Sequence, residues 1–446
     1  MNEGVYDERR LRDFLAGRTR GFSRRELLAL TVAMGAGAAA PTSPAAAVGA
    51  GAAAPTSPAA AVGAGAAAPT SPAAAVGAGA AAPTSPAAAA SPIVKPLPAE
   101  LFRALGTNAE TRWSALKDQG YYVPVDRFFV RNHTVTPAVD AATWNLEVFG
   151  SGLRGGPVNF SLKDLLRLPS VTAPVAIECA GNGRGYYTTQ QGQTVSGTAW
   201  RLGAIGVGRW RGVRLSTVLR RAGVTRDAVD VQPVGLDPNF VSGGVDLGPV
   251  RRPFPVRKAF DDVLLAYELN GEPLPPDHGF PVRVVVPHWV GIASIKWVGR
   301  IEVAAEPLFS PWNTTFYRLF GPDFPAEGQP FDRQVVKSAF ELDPGTTFPA
   351  GVRTRLTGRS WSADGPIRNV RVSTDGGTTW RRARPYGGTP GGAWQRWEID
   401  WTPTAGSHRL LARATDVRGN TQPDVARHNT LGYLFDAVVR VDVTAA

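Results

Sequence analysis

The side chain with the most chemistry in this chain occurs once: Cys179 is the only cysteine among 446 residues. It lies in PVAIECAGNGR (174–184), where apolar Val175-Ala176-Ile177 leads in and Gly181, Gly183 and Gly185 follow at alternate positions. The thiol therefore sits where a short strand gives way to a glycine-rich loop, a place suited to holding a ligand. One cysteine cannot build an intramolecular disulfide, a thiolate zinc site or a Cys-ligated iron–sulfur cluster alone. The five histidines, His133, His278, His288, His408 and His428, show no HExxH or comparable spacing, which limits any all-protein metal site. Three readings of Cys179 stand: a soft ligand to a transition metal whose other ligands are not protein, a nucleophile, and a small buried hydrophobe. No histidine is near it in sequence to activate a nucleophile, although a partner in space stays open.

The elements that must position this thiol divide into two textures. Residues 121–300 alternate short apolar strands, such as 144–148 and 282–286, with brief helical patterns at 161–166 and 215–223. Ser161 is the expected N-cap of the first helix and Gly223 the stop of the second. Strands and helices mix without a βαβ rhythm, and no Rossmann glycine fingerprint follows a strand, so the expectation is an α+β domain without a nucleotide-binding unit. From Gln334 onward, period-two strands such as 370–373 and 409–414 are separated by turn signals at Asp364-Gly365, Asp375-Gly376-Gly377 and Gly387-Gly388. About seven strands in roughly 110 residues predict an all-β immunoglobulin-like sandwich without its disulfide. The stretch STDGGTTW (373–380) also fits the Asp-box hairpin of sialidase propellers; a single copy reads as a structural hairpin, because propellers repeat their blades. The expected division is 93–330 for the first domain and 331–446 for the second.

Hydrophobic residues make up 43% of the chain and aromatics 9%, enough for globular cores at this length. Residues 1–95 hold eight Lys/Arg and five Asp/Glu, so of the +11 total about +8 lies beyond them. No helix-turn-helix, RNP-type or zinc-finger pattern accompanies the charge, and the arginines are scattered through strand-like segments. A small anion is favoured over nucleic acid as the partner. Residues 1–34 run from Ser23-Arg24-Arg25 into apolar 29–34 and then small residues, the order of a twin-arginine export signal. Residues 35–90 are four tandem copies of GAGAAAPTSPAAAV, the last ending in Ala, and 35–92 is read as a disordered linker that cannot bury enough surface to order itself. The expected localisation is exported: periplasmic, cell-wall-associated or extracellular.

The loop CAGNGR (179–184) resembles the CAGN(R/G)R loop of the sulfite oxidase family. FVRNH (129–133), Trp200 with 203–206 and RWRGVRL (209–215), DVLLAYELNGEPLP (262–275), DHGFPVR (277–283) and IKW (295–297) match the same family in order. The resemblance covers about residues 97–446. It implies that Cys179 ligates molybdenum, one per chain, beside a molybdopterin. It also implies that Phe129, Arg131, Asn132, His133, Asp237, His278, Arg283, Ser294 and Lys296 hold the pterin and its phosphate. Arg131, Arg184, Trp200 and Tyr317, the last placed by WNTTFY (312–317), would surround a small oxyanion, for which guanidinium forks are suited. The activity implied is oxidation of sulfite to sulfate by oxo transfer, with electrons passed to an external acceptor such as a cytochrome c, and a homodimer formed through the second domain. Animal relatives carry a haem-binding cytochrome b5 domain ahead of this core; no haem is expected in this chain.

Two positions depart from the family pattern. HNTLG (428–432) places Leu431 where animal members have arginine in a WNLRG context, and Gly183 replaces an arginine beside Arg184. Losing a charged contact to a desolvated oxyanion costs roughly 2–5 kcal/mol, enough to redirect substrate choice. A related reductase acting on a sulfoxide or nitrate is therefore one alternative, and a cofactor-free binding or cell-wall protein on the same fold is another.

Overall fold

The structure, a computed structural model, describes residues 92–446. The export signal and nearly all of the repeat linker fall on 1–91, outside the described residues. Two five-stranded sheets build the first half. One runs in the order Phe254–Pro255, Asp230–Gly235, Val298–Ala304, Asn145–Phe149, Val158–Ser161, with a single parallel pair between Val298–Ala304 and Asn145–Phe149. The other runs Glu272–Pro273, Leu264–Leu269, Ile205–Arg214, Ser170–Glu178, with Arg283–Val285 also pairing to Leu264–Leu269.

The second sheet places the thiol. Ser170–Glu178 and Ile205–Arg214 stay paired from Ser170↔Val213 to Glu178↔Ile205, so Cys179 is the first residue past the ladder. The apolar run Val175-Ala176-Ile177 is buried on both faces of this strand.

The helices are short, and the expected boundary signals operate. Ser161 caps Leu162–Leu166 in a reciprocal capping box with Asp164. Leu215–Arg221 ends at Ala222, and Gly223 follows with a positive φ of 84°. The expected α+β description holds with strands in the majority.

The second half is a sandwich. Lys337–Phe340, Thr354–Trp361, Gln395–Trp401 and Arg384–Pro385 form one sheet; Thr347–Phe348, Val441–Ala445, Gly406–Asp416, Ile367–Ser373 and Arg381–Arg382 form the other. Six strands have four residues or more, and three are two-residue edge segments that a period-two pattern is too short to reveal. The Asp-box stretch closes the hairpin between Ile367–Ser373 and Arg381–Arg382. The Asp375 carboxylate accepts from the Thr379 amide at 2.9 Å and the Ser373 hydroxyl at 2.7 Å, and Ser373 Oγ accepts from the Gly377 amide at 2.8 Å.

The halves share a core. Trp113, Phe128, Ile177 and Trp210 from the first pack in one apolar cluster with Phe340, Trp361, Trp394 and Trp397 from the second. Within that contact Arg359 is paired with Glu341 at 2.6 Å and donates to the carbonyls of Leu116 at 3.0 Å and Tyr121 at 3.3 Å. Among the described residues, no helix is long and apolar enough to cross a membrane.

Candidate active site

The loop after Glu178 is pinned by backbone hydrogen bonds from two directions. The Cys179 amide donates to the Ala204 carbonyl at 2.9 Å, the Ala204 amide donates to Asn182 Oδ1 at 2.9 Å, and the amides of Gly183 and Gly185 donate to the carbonyls of Arg201 and Trp200 at 2.7 and 2.8 Å. From the carboxy-terminal half, the Leu434 amide donates to the Ala180 carbonyl at 2.9 Å. Gly183 adopts φ 95°, and a Cβ there would stand 3.0 Å from two atoms of the Phe435 side chain. The backbone of this turn thus favours glycine, one of the two residues that the family loop carries at this position.

Cys179 is free, buried, and faces a cavity of about 730 Å³, counting the space open to solvent at its mouth. The cavity gathers Phe129, Arg131, Asn132 and His133 from one segment, Asp237, His278 and Arg283 from others, and Ser294, Lys296 and Tyr317. Each is placed by local bonding. The Arg283 guanidinium lies over the Trp210 ring and donates to the carbonyls of His278 at 3.0 Å and Ser294 at 2.9 Å. Lys296 Nζ donates to the Asp277 carbonyl at 2.8 Å and to Asn132 Oδ1. Ser294 Oγ accepts from the Val286 amide at 3.0 Å, and Asp237 accepts from the Val250 amide at 3.2 Å. Trp312 Nε1 donates to His133 Nε2 at 3.0 Å, which assigns the ring proton of a neutral His133 to Nδ1.

Burial dominates the electrostatics of the site. Burial, then neighbouring cations, pushes His133 and His278 well below the usual histidine range. Burial also pushes Lys296 well down and Arg283 down to about 9, while it pushes Asp237 up to about 6. Among the polar atoms of the cavity wall, Arg131 Nη1 and His278 Nε2 are buried without a hydrogen-bond partner. Orphaned polar groups and clustered positive charge out of water are costly unless a ligand satisfies them. Among the described residues no group of three His, Cys, Asp or Glu side chains could hold a metal, so a metal at Cys179 needs ligands from another group. One cysteine thiol and the cationic side chains of Arg131, Arg283 and Lys296 around one cavity fit a metal carried on a phosphate-bearing organic ligand.

Trp200 and Arg184, both expected around the oxyanion, do not line this cavity. Trp200 is buried edge-on against Phe129, ring centroids 6.5 Å apart. Arg184 spends Nε on the Leu431 carbonyl at 2.8 Å and Nη1 on the Thr198 carbonyl at 3.2 Å, with its guanidinium 5.0 Å over the Tyr433 ring. The Leu431 side chain packs in the apolar core, so this position meets Arg184 through its backbone oxygen. Tyr317 has a strained φ of 59° and stacks on Tyr433 at 5.1 Å, and burial raises both phenols above the ordinary tyrosine range. Sequence reasoning missed Tyr433. Its one available signal was its place two residues after Leu431, in the stretch already aligned to the pocket.

A family model described as an oxidoreductase molybdopterin binding domain matches residues 133–312, and a Mo-co oxidoreductase dimerisation domain model matches 350–446. The chain is similar to mitochondrial sulfite oxidase of Homo sapiens, 37% identical over 368 residues, covering 76% of this chain and 66% of that protein. Sulfite oxidase of Gallus gallus is 35% identical, with 71% of each covered. NAD(P)H nitrate reductase of Hordeum vulgare is 33% identical over 365 residues, covering 75% of this chain and 40% of that protein. Among solved structures, the sulfane dehydrogenase SoxCD from Paracoccus pantotrophus superposes with a TM-score of 0.65 at 28% identity, covering 76% of this chain and 84% of that one.

Proposed function

Because the chain belongs to the sulfite oxidase family of molybdopterin-binding oxidoreductases, we propose that it oxidises sulfite to sulfate and passes the electrons to a separate acceptor. The observation that carries this reading is the lone thiol of Cys179 facing a cavity with surplus cationic groups and an unpartnered Arg131 donor. Held there, a molybdenum–molybdopterin group would supply the two-electron redox and oxygen-transfer chemistry. Cys179 would be the protein's ligand to the metal. His278, Arg283, Lys296, Asn132 and His133 would meet the phosphate and the polar edge of the pterin, with Phe129, Asp237 and Ser294 completing the wall. An anion there would offset part of the lowering of both histidines, which burial causes first and neighbouring cations add to. Arg131 Nη1, buried and without a partner, is the donor available to a substrate oxygen. Tyr317, kept protonated by burial, supplies a neutral phenol donor beside it. Arg184 braces the Tyr317–Tyr433 stack from behind, and Trp200 backs Phe129.

The test is steady-state turnover by protein matured in a cofactor-competent host. Reduction of ferricyanide or cytochrome c on addition of sulfite is the expected result. A nitrate or sulfoxide reductase is the second reading, favoured by the similarity to nitrate reductase. Turnover of either with none of sulfite would select it. Molybdenum far below one per chain would instead select a cofactor-free binding protein. The proposal includes twin-arginine export, argued from Ser23-Arg24-Arg25 and the apolar residues after it, and a homodimer, supported by the dimerisation-domain match.

A further inference from the structure

Resting on the assignment of Cys179 to the metal but going beyond it, we propose that Lys337 is a positioning residue through which the carboxy-terminal sandwich clamps the Cys179 loop and so governs how firmly the cofactor is held. Lys337 opens strand Lys337–Phe340 of the sandwich, yet its ammonium is buried in the other half. Nζ lies 2.8 Å from Glu178 Oε1 and donates to the Asn182 carbonyl at 2.8 Å. Those two contacts fall on either side of the thiol: Glu178 immediately precedes Cys179, and Asn182 closes the turn that carries it.

The contacts form a continuous buried network. Asn182 Nδ2 donates to Glu178 Oε1 at 3.0 Å, and Trp361, also from the sandwich, donates Nε1 to Glu178 Oε2 at 3.0 Å. Asn182 Oδ1 accepts from the Ala204 amide at 2.9 Å, and the Ala204 carbonyl accepts from the Cys179 amide at 2.9 Å. Lys337, Glu178, Asn182 and Trp361 are all buried. In such a network, removal of one charge leaves its partner stranded out of water, so the members hold one geometry or the network fails.

A second buried pair supplies an internal contrast. Arg359–Glu341 lies wholly within the sandwich, but its guanidinium crosses to the first half, where it reaches the carbonyls of Leu116 and Tyr121 and makes no hydrogen bond to residues 178–185. Both pairs should stabilise the junction of the halves. Lys337 alone spans the turn that presents the thiolate.

The experiment uses holoenzyme from a cofactor-competent host, comparing wild type, Lys337→Met, Glu178→Gln/Lys337→Met and Arg359→Met. Hydrogen exchange of peptides covering 179–185 is read alongside molybdenum retained per chain after warm incubation and desalting. For Lys337→Met, both exchange in the loop and the rate of molybdenum loss should rise at least about tenfold. The double variant has no stranded carboxylate and keeps a hydrogen-bonding side chain at 178, so it should recover most of the unfolding midpoint while loop exchange stays several-fold above wild type. Arg359→Met should lower the midpoint and leave loop exchange and retention as in wild type. Unchanged loop exchange in both Lys337 variants overturns the proposal, as does an equal change in Arg359→Met. Should Lys337→Met fail to fold, the double variant decides by the same exchange criterion. If wild type binds no molybdenum, the ligand assignment of Cys179 fails, and the exchange measurement still decides the clamp.

Discussion

A serine at position 179 would match the cysteine closely in shape, but it exchanges a soft thiolate donor for a poorly acidic hydroxyl. Cys179 sits among buried groups, with its backbone held by Ala204 and Asn182 rather than by its sulfur. Cys179→Ser should therefore abolish turnover while leaving the circular dichroism spectrum and the unfolding midpoint near those of wild type. Turnover close to wild type would remove Cys179 from the ligand set. The neighbouring arginines differ in what they have free. Arg184 is committed to two carbonyls and a ring face, whereas Arg131 keeps a buried nitrogen without a partner. At this scale the departure at Leu431 changes meaning, because the backbone oxygen that receives Arg184 is available from any residue type.

The turn 179–185 is the element on which these residues depend, and Gly183 is its most constrained point. An alanine there must adopt a φ near 95° and place its Cβ against Phe435, so Gly183→Ala should cost about 1–3 kcal/mol of stability. Urea unfolding measures that loss. Adding Phe435→Ala should return little of it, since the backbone strain remains; full recovery would mean that crowding alone selects glycine. Much of the surrounding architecture was legible in the sequence because its signals are local. The apolar run before Cys179, the Ser161 N-cap, the stop at Gly223 and the Asp-box hairpin are each decided within a few residues. What was not legible depends on distant segments meeting. Lys337 reaches Glu178 across 159 positions, Arg184 reaches Leu431 across 247, and Tyr433 stacks on Tyr317 from the other half of the chain. No spacing rule encodes such meetings, and for that reason Gly183 reads in the sequence as a lost charge and in the fold as a backbone requirement.

Across the whole molecule, the junction of the two halves carries a titratable group that should make stability depend on pH. Glu110, on strand Asn108–Thr111, is paired with Arg103 at 2.9 Å and accepts from the Arg201 amide at 2.7 Å. It lines a cavity of about 600 Å³ between the halves, with Arg112, Tyr186, Arg201 and Asp343 also on its walls. Burial outweighs the Arg103 charge and pushes the carboxyl up from 4.5 to about 7. Between those values the folded chain keeps a proton that the unfolded chain releases, so this group makes stability fall as pH rises through the window, by at most about 1.4 kcal/mol per pH unit. Glu110→Gln, which cannot titrate, should lack that part of the slope. The quantity to measure is the urea-unfolding free energy of both proteins at several pH values from 5 to 8. The variant should gain on wild type as pH rises to about 7 and then hold a constant difference, while Asp237, also raised by burial, contributes equally to both. Parallel curves would mean that Arg103 and the Arg201 amide keep Glu110 ionised across the range.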